Sequence, residues 1–307
     1  MSKGKDAMRS IPSMRDLSRQ VMRSVMGENG MGLPLVSQDT IMIIEGPLTK
    51  ITNGLQDPVQ AYLNLGKDLV HLNALIGKTI KVKSTGFSTC KACKRQRDEP
   101  LFRMGFCKPC FFESPMAGDF ILHPEKSMAH TGKVDRDLKI ESDIQLQPHT
   151  VYMADSGQVK VGVTAGNKPW NRWMDQGASA GKILAITDNR YEAGMIEVAL
   201  KAHYSDKTHW RKMLQGNRSE QSLHEVTEGA KKHVPDELIH FIQADGHESQ
   251  IKYDMPEQLP KLNWIKLNGT VTLEDELIGL RGQYLVFKSG LAWNVRGQEG
   301  LEVEMSW

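Results

Sequence analysis

Residues 151–164 read VYMADSGQVKVGVT, and this stretch decides the fold of the middle of the chain. Apolar residues stand on both sides of Asp155-Ser156-Gly157, a tripeptide typical of a tight turn. Because short apolar runs separated by turn residues are typical of a hairpin, we predict two strands, 151–154 and 159–164. Strands joined by so short a turn are antiparallel.

The hairpin is followed by alternating helix and strand patterns. Pro169 suits the first turn of a helix that ends near Gln176, and residues 182–187 form a third apolar run. Asp188 is expected to cap the next helix, which carries an apolar stripe. These patterns predict an α+β module over residues 150–232.

The four cysteines of the chain lie close together, in two Cys-x-x-Cys pairs separated by 13 residues. Each pair can bind one side of a tetrahedral Zn²⁺, and the loop between them allows the pairs to converge. Four thiolates leave no coordination position for water, so the predicted zinc is structural. A redox pair and buried free thiols are the alternatives, and the clustering favours a reducing, cytoplasmic location. The predicted ligands are Cys90, Cys93, Cys107 and Cys110.

Basic and aromatic residues alternate around the cysteines. Cations contact phosphates and phenylalanine rings stack on bases, so the pattern indicates binding of nucleic acid, either DNA or RNA. The alternative is that the phenylalanines form the small core of a zinc knuckle, which we expect for two of the four. The predicted nucleic-acid-binding residues are Lys91, Lys94, Arg95, Arg97, Arg103 and Lys108, and the phenylalanines are Phe102, Phe106, Phe111 and Phe112.

Strand patterns flank this knuckle, which is expected to span residues 86–115, and they recur near the C-terminus. One β region is predicted over residues 36–149 and a second, acidic one over residues 233–307. Leu75-Ile76-Gly77 and Leu277-Ile278-Gly279 each precede a strand pattern followed by serine and glycine. This indicates a repeated β unit whose two copies pack together. One barrel and two separate sheets are both compatible with the pattern.

Charge is distributed unevenly along the chain. Residues 233–307 carry a formal charge of −6 and residues 1–232 carry +8. The basic part can bind nucleic acid, and the acidic part can meet a basic protein partner. Residues 1–35 are predicted to be an N-terminal extension with one amphipathic helix, which packs on this chain or docks a partner. No apolar run approaches the ~18 residues of a membrane span, and the first residues lack the apolar stretch of a secretory signal.

Five residues of the central module occur in the order found in a known enzyme superfamily. A tyrosine on the first strand, a lysine and a glycine on the second, an arginine on the first helix and a glutamate on a later helix resemble the signature of the GIY-YIG nucleases. The resemblance implies a GIY-YIG-like three-stranded antiparallel sheet with helices, and metal-dependent hydrolysis of DNA or RNA. The matching residues are Tyr152, Lys160, Gly162, Arg172 and Glu197.

The resemblance also implies a role for each side chain. Glu197 would bind one Mg²⁺ or Mn²⁺, and Arg172 would bind the scissile phosphate. Tyr152 would position or deprotonate the attacking water, and Lys160, where many members carry a second tyrosine, would neutralise the phosphate. Each residue has a structural alternative: a half-buried strand aromatic for Tyr152, a surface ion pair for Arg172 and a solvated helix position for Glu197.

A longer resemblance covers residues 45–305. It connects the chain with a bacterial family of unknown function whose members combine a cysteine knuckle, this module and a C-terminal β segment. The segments that carry it are 151–154, 160–164, 172–178 and 206–214.

Three functions fit these observations. The ordered set of module residues favours a metal-dependent nuclease with a structural zinc knuckle. The second function is that of a non-catalytic, zinc-containing nucleic-acid-binding protein, because a shared fold does not transfer an activity. The third is that of a protein-interaction factor that uses the N-terminal helix or the acidic C-terminal region.

Overall fold

The computed structural model describes residues 42–205, 208–243 and 247–307. The predicted N-terminal extension, residues 1–35, lies outside the described residues. All contacts reported below lie within the unit formed by residues 42–307. Among the described residues, no helix combines the length and the apolar character needed to cross a membrane.

Strands from the whole described chain form three sheets. In chain order the strands are β1 (Ile43–Pro47), β2 (Thr52–Gly54), β3 (Gln60–Leu65), β4 (Asp68–His71), β5 (Thr79–Thr89), β6 (Gln96–Arg97), β7 (His149–Asp155), β8 (Val159–Ala165), β9 (Ala180–Thr187), β10 (Ser249–Gln250), β11 (Asn263–Ile265), β12 (Thr272–Arg281), β13 (Tyr284–Phe287), β14 (Leu291–Asn294) and β15 (Leu301–Ser306).

Helices are concentrated between the cysteine knuckle and the C-terminal strands, and most of them are short. The α-helices are α1 (Lys108–Glu113), α2 (Asp119–Leu122), α3 (Leu138–Gln145), α4 (Trp170–Asp175), α5 (Arg190–Lys201), α6 (Trp210–Leu214) and α7 (Leu223–Lys231). Short 3₁₀ helices span Leu72–Leu75, Pro115–Ala117, Pro124–Lys126, Ala129–Thr131, Asp236–Phe241 and Arg296–Gln298.

The largest sheet joins strands from both ends of the described chain, in the order β1-β15-β5-β12-β13-β14-β11, with β6 paired to β5. β1 and β5 come from the predicted β region 36–149, and β11 to β15 come from the predicted region 233–307. The two regions therefore contribute to one sheet. Their apolar faces merge into one core, whose buried members include Leu63, Ile80, Val82, Leu277, Phe287 and Trp293.

The two copies of the Leu-Ile-Gly motif meet directly in this sheet. The N–H of Gly77 donates to the carbonyl oxygen of Leu277 over 2.8 Å, and the N–H of Leu277 donates to the carbonyl oxygen of Lys78 over 3.0 Å. β5 then runs antiparallel to β12, with Thr79 opposite Glu276. The expected contact between the two copies is thus a backbone ladder.

A second sheet carries the central module, in the order β10-β9-β7-β8, and β7 is antiparallel to both β8 and β9. The predicted strands 151–154 and 159–164 lie within β7 and β8. The hairpin register places Tyr152 opposite Gly162 and Ala154 opposite Lys160. A two-residue strand from a distant part of the chain, β10, joins β9 at the edge of the sheet. It lies too far along the sequence for the local pattern to predict it.

Helices cover both faces of the module sheet. Trp173 of α4 packs against Tyr152 on one face. Ile196 of α5 and Val226 of α7 pack against Val151 on the other face. Because successive side chains of a strand point to opposite faces, the Tyr152 and Val151 side chains are separated by the sheet.

The start of α5 lies one residue later than the sequence predicts. The side chain of Asn189, not that of Asp188, accepts the N–H of Glu192 over 3.0 Å. The carboxylate of Glu192 accepts the N–H of Asp188 over 3.1 Å. The arrangement differs from a capping box, because Glu192 accepts the N–H of the residue before the cap and not that of Asn189 itself. Asparagine and aspartate are equally good caps.

Candidate functional site

Two turns bring the four cysteine sulfurs together. Cys90 directly follows β5, Cys93 lies in the next turn, Cys107 occupies the N-cap position of α1 and Cys110 lies within α1. The four Sγ atoms all lie within 4.8 Å of one another, and those of Cys93 and Cys107 are 4.0 Å apart. Sulfurs bound about 2.3 Å from one Zn²⁺ stand about 3.8 Å apart in a tetrahedron. The cluster could therefore hold a metal ion and is compatible with zinc.

Backbone hydrogen bonds shape both turns. The N–H of Lys94 donates to the carbonyl oxygen of Cys90, and the N–H of Phe106 donates to that of Arg103, each over 2.9 Å. Lys94 and Gly105 have φ angles of 58° and 77°. Glycine adopts this left-handed conformation freely, whereas a lysine there costs about 1 kcal/mol or more. At Lys94 the hydrogen bond to Cys90, which completes the first turn, offsets this cost.

The cysteine pKa values differ because the thiols contact one another and the surrounding backbone N–H groups. Burial raises the pKa of Cys90, but backbone N–H groups, that of Cys107 foremost, bring it down to about 6. The N–H of Cys110 lowers the pKa of Cys107, whereas the Cys107 thiol raises the pKa of Cys110 to about 12. A cation bound between the sulfurs would favour the thiolate form of each, which is the form that ligates metals.

The six predicted nucleic-acid-binding cations divide into two groups. Arg97 faces the cysteines and forms a hydrogen bond with Cys107. This bond and the negative charge of the sulfur raise the pKa of the Arg97 guanidinium. Lys91 Nζ lies 4.3 Å from the ring centroid of Phe106 and 3.7 Å from the Glu299 carboxylate. The other four are exposed, and no carboxylate of the described residues pairs with them: Lys94, Arg95, Arg103 and Lys108.

The four phenylalanines divide in the same way. Phe106 is buried and Phe111 is half-buried, so these two form the small core of the knuckle. Phe102 is 43% exposed and Phe112 is 57% exposed, although both also contact Phe111. Two aromatic faces therefore stand at the surface beside the exposed cations.

Tyr152, the predicted base, is fully buried in the module. Its hydroxyl donates to Oε1 of Gln176 over 3.1 Å. Burial raises the pKa of the phenol, the nearby positive charge of Arg172 opposes this, and the negative charge of Glu197 adds to it. A buried phenol with a raised pKa stays protonated at neutral pH, so it is not available to take a proton from water.

Lys160 is also buried, on the same face of the hairpin as Tyr152. Its ammonium group donates to the hydroxyl of Thr208, just before α6. The lysine therefore connects β8 to the segment that leads into α6. This is a structural contact that the sequence does not predict.

Glu197 and Arg172 lie on different helices, and no ion pair joins them. Glu197 is 7% exposed on α5, with Oε2 3.2 Å from Lys201 Nζ, and burial raises the pKa of its carboxyl group. Arg172 is partly exposed on α4. On the surface, the carboxylate of Asp175 is bound not by Arg172 but by Lys50, whose Nζ lies 3.0 Å from it. Both Arg172 and Glu197 are nevertheless close enough to Tyr152 to influence its pKa.

A family model described as "Protein of unknown function (DUF2797)" matches residues 77–303, which is well over half of the 307-residue chain. The chain belongs to this family. No curated protein and no solved structure gives a significant match to it. The matched region of this DUF2797 chain begins just before β5 and ends within β15. It therefore includes the cysteine cluster, the central module and most of the C-terminal strands.

The DUF2797 chain has a second surface feature that the sequence does not indicate. Trp210 and Tyr284 line a cleft of about 410 Å³, together with Arg296 and, from the knuckle, Met104. In the sequence, Trp210 and Tyr284 are 74 positions apart. Nothing in the local pattern around either residue predicts that the two share a cleft.

Proposed function

We propose that this protein is a non-catalytic nucleic-acid-binding protein whose cysteine knuckle is held together by a structural Zn²⁺. The observation that carries the proposal is the surface of the knuckle, where four exposed cations without carboxylate partners among the described residues stand beside two exposed phenylalanine rings. Cations that bind phosphates and rings that stack on bases are the two components of single-strand recognition.

The zinc would act on structure alone. Four thiolates complete its coordination, so no position remains for water or substrate. Four thiolates and one Zn²⁺ carry a net charge of about −2. Arg97, which faces Cys107, and Lys91, which lies over the ring of Phe106, would offset that charge. The four exposed cations would then remain available for phosphates.

The exposed rings favour single-stranded targets. Phe102 and Phe112 lie 5.7 Å apart between ring centroids, and Arg103 lies over Phe102 with its guanidinium carbon 5.7 Å from the ring centroid. A ring can stack only on a base whose face is free, which is the case in single strands. We therefore propose single-stranded nucleic acid as the preferred ligand of the knuckle.

The test is a fluorescence anisotropy titration of labelled single-stranded and duplex dodecamers of DNA and RNA with the zinc-loaded full chain. The test variant replaces Lys94, Arg95, Arg103 and Lys108 by glutamine, and we expect binding roughly tenfold weaker or more at about 100 mM salt. The matched control replaces four exposed lysines elsewhere on the surface, Lys67, Lys78, Lys83 and Lys139, by glutamine.

The salt dependence gives a second readout. With four phosphate contacts removed, the slope of log K against log salt should become shallower by about 3 units for single strands. The control variant should keep the parent slope. If both variants lose the same affinity and slope, the knuckle is not the binding surface and the proposal is wrong.

A second candidate is a metal-dependent nuclease of the GIY-YIG type that uses Tyr152, Lys160, Arg172 and Glu197, with Mg²⁺ or Mn²⁺ on Glu197. Its support is the electrostatic influence of both Arg172 and Glu197 on Tyr152. We rank it second because Tyr152, Lys160 and Glu197 are all buried, and a catalytic side chain must reach substrate.

Cleavage of the same oligonucleotides with added Mg²⁺ or Mn²⁺ tests this second candidate. Cutting by the parent that disappears in Glu197→Gln would establish the nuclease. Glu197→Gln keeps the size of the side chain, so its thermal melting should resemble that of the parent. Binding without cutting by either protein would leave the non-catalytic function as the conclusion.

A further inference from the structure

The cleft of about 410 Å³ lies where the central module, the C-terminal strands and the knuckle meet. Its size falls within the roughly 300–1,000 Å³ typical of small-molecule sites. Met104 of the knuckle forms part of its wall and directly follows Arg103, one of the four exposed cations. The remaining residues that matter here are Gln176, Trp210, Tyr284, Asn294 and Arg296.

Two aromatic rings in the cleft are nearly parallel. The ring planes of Trp210 and Tyr284 differ by 9°, with centroids 6.2 Å apart, and both side chains are partly exposed. Trp210 begins α6 and Tyr284 begins β13, so regular backbone holds each ring in place. Such aromatic faces favour stacking of a flat, conjugated ligand.

A cation stands at the same cleft. The side chain of Arg296 is 45% exposed, and its Nη1 lies 4.0 Å from Oδ2 of Asp175. That carboxylate is already bound by Lys50 Nζ at 3.0 Å and by Gln283 Nε2 at 3.1 Å. Burial lowers the pKa of Arg296, and the positive charge of nearby Arg172 lowers it further. An anion at the cleft would relieve this repulsion.

Side-chain amides complete the lining. Gln176 accepts the hydroxyl of Tyr152 with Oε1, and Asn294 accepts the N–H of Gly297 with Oδ1 over 3.0 Å. The amide nitrogen of Gln176 is therefore a potential donor at the cleft, whereas Asn294 also hydrogen-bonds to the hydroxyl of Tyr284. Donors of this kind recognise the polar edge of a base.

We infer that this cleft holds one nucleotide unit, with its base against Trp210 and Tyr284 and its phosphate at Arg296. The inference rests on the proposed function where the nucleotide belongs to a nucleic-acid strand, and a free mononucleotide has the same chemistry. Met104, in the wall of the cleft, is the next residue along the chain after Arg103. A nucleic-acid strand bound to the exposed cations at Arg103 would therefore pass close to the cleft.

The experiment compares Trp210→Leu and Arg296→Gln with the parent chain, using two probes. The first probe is a labelled single-stranded dodecamer followed by anisotropy, and the second is AMP or UMP followed by calorimetry. Matched controls are Trp264→Leu and Arg218→Gln, which change an exposed tryptophan and an exposed arginine outside the lining of the cleft. Thermal melting checks that each variant is folded.

We expect Trp210→Leu to weaken binding by about five- to a hundredfold, because it removes one stacking surface. Arg296→Gln should weaken binding roughly tenfold and should make the salt dependence shallower by about one phosphate contact. The control variants should bind like the parent. If the cleft variants lose binding of the dodecamer alone, the nucleotide in the cleft belongs to a nucleic-acid strand. If they also lose binding of the mononucleotide, the cleft accepts a free nucleotide as well.

The inference is overturned if Trp210→Leu and Arg296→Gln are folded and bind both probes as the parent does, or if the parent binds neither probe. Should the variant of the knuckle cations lose dodecamer binding while both cleft variants keep it, the proposed function stands and the cleft inference fails. Should the parent bind AMP through Trp210 but no dodecamer, the cleft inference stands and the proposed function fails.

Discussion

The backbone N–H of Cys107 donates a hydrogen bond to the Sγ atom of Cys90 over 3.3 Å. The two residues are 17 positions apart, so this bond ties the second cysteine pair to the first. A hydrogen bond to sulfur favours the thiolate, which is the form that binds metal. The folded backbone thus favours the metal-binding form of Cys90 before any cation is bound.

Loss of one thiolate should abolish stoichiometric metal binding. The proposed zinc site requires one ion per chain in the purified parent protein, and in Cys110→Ser we expect the zinc content to fall well below one, because a structural site depends on all four ligands. Elemental analysis gives the content, and thermal melting should show a lower midpoint. Phe112→Ala, an exposed change in the same helix, is the control and should keep its zinc.

Gly162→Ala should destabilise the module. A Cβ at this position would stand 2.5 Å from the hydroxyl and 2.7 Å from Cζ of the buried Tyr152, and a rigid ring cannot move away as a flexible chain can. Overpacking of this kind costs about 1 to 3 kcal/mol of the free energy of unfolding, which urea titration measures.

Gly229→Ala is the matched control with the opposite sign. The nearest atom to its added Cβ is 3.8 Å away, and residue 229 lies inside α7. Alanine favours helix over glycine by about 0.8 to 1 kcal/mol, so this variant should be more stable than the parent. Equal effects of the two glycine variants would contradict the packing described here.

Acid should destabilise the fold through His149. The imidazole is buried, its Nδ1–H donates to the carbonyl oxygen of Gln147 over 2.8 Å, and burial lowers its pKa to about 4. In the unfolded chain the pKa returns to about 6.5, so the unfolded chain takes up the proton first as pH falls. The contribution of neutral His149 is present above pH 6.5 and is lost as pH falls towards 4.

This loss can be isolated with His149→Gln. Between about pH 7 and pH 5 the parent should lose about 2 kcal/mol more free energy of unfolding than the variant, as measured by urea titration. The comparison cancels the other titrating groups, which both proteins share. A parallel pH dependence of the two proteins would show that His149 is not neutral and buried.

Gln283→Leu should loosen the contacts that join the turn between β12 and β13 to the residue before β2 and to the end of α4. The side chain of Gln283 accepts the N–H of Ile51 over 2.8 Å, and donates to the carbonyl oxygen of Ile51 over 2.9 Å and to Asp175 over 3.1 Å. Leucine has a similar size but leaves the buried N–H and carbonyl oxygen of Ile51 unpaired, at a cost of about 2 to 4 kcal/mol, whereas Asp175 keeps its contact with Lys50. Thermal melting should show a lower midpoint for Gln283→Leu. The control variant Gln215→Leu, which changes an exposed glutamine, should have the same midpoint as the parent.

Features that depend on neighbouring residues can be predicted from the sequence, and features that depend on residues far apart in the chain cannot. The cysteine ligand set and the hairpin 151–164 depend on a few neighbouring residues, and both are readable as patterns. The cap of α5 is placed one residue too early, because Asp188 and Asn189 are equally good capping residues and only backbone geometry chooses between them.

The orientation of the charged residues around the knuckle could not be predicted in full. Arg95 and Arg97 look alike in the sequence, yet Arg95 is exposed while Arg97 is turned towards Cys107. The difference arises because β6 pairs with the end of β5 and fixes which side chains face the sulfurs. Likewise, the burial of Tyr152 depends on Trp173 of α4 and on Gln176, the residue that follows α4.

By itself, the sequence determined the local features of this protein: the two cysteine pairs, the strand pairs and the basic, aromatic character of the knuckle. Spacing and periodicity act over a few residues, so a single sequence reveals them. Only the tertiary structure decided that the two β regions form one sheet and that Trp210 and Tyr284 share a cleft. Those outcomes depend on packing between segments far apart in the chain, where burial of apolar surface selects the partners without leaving a local pattern.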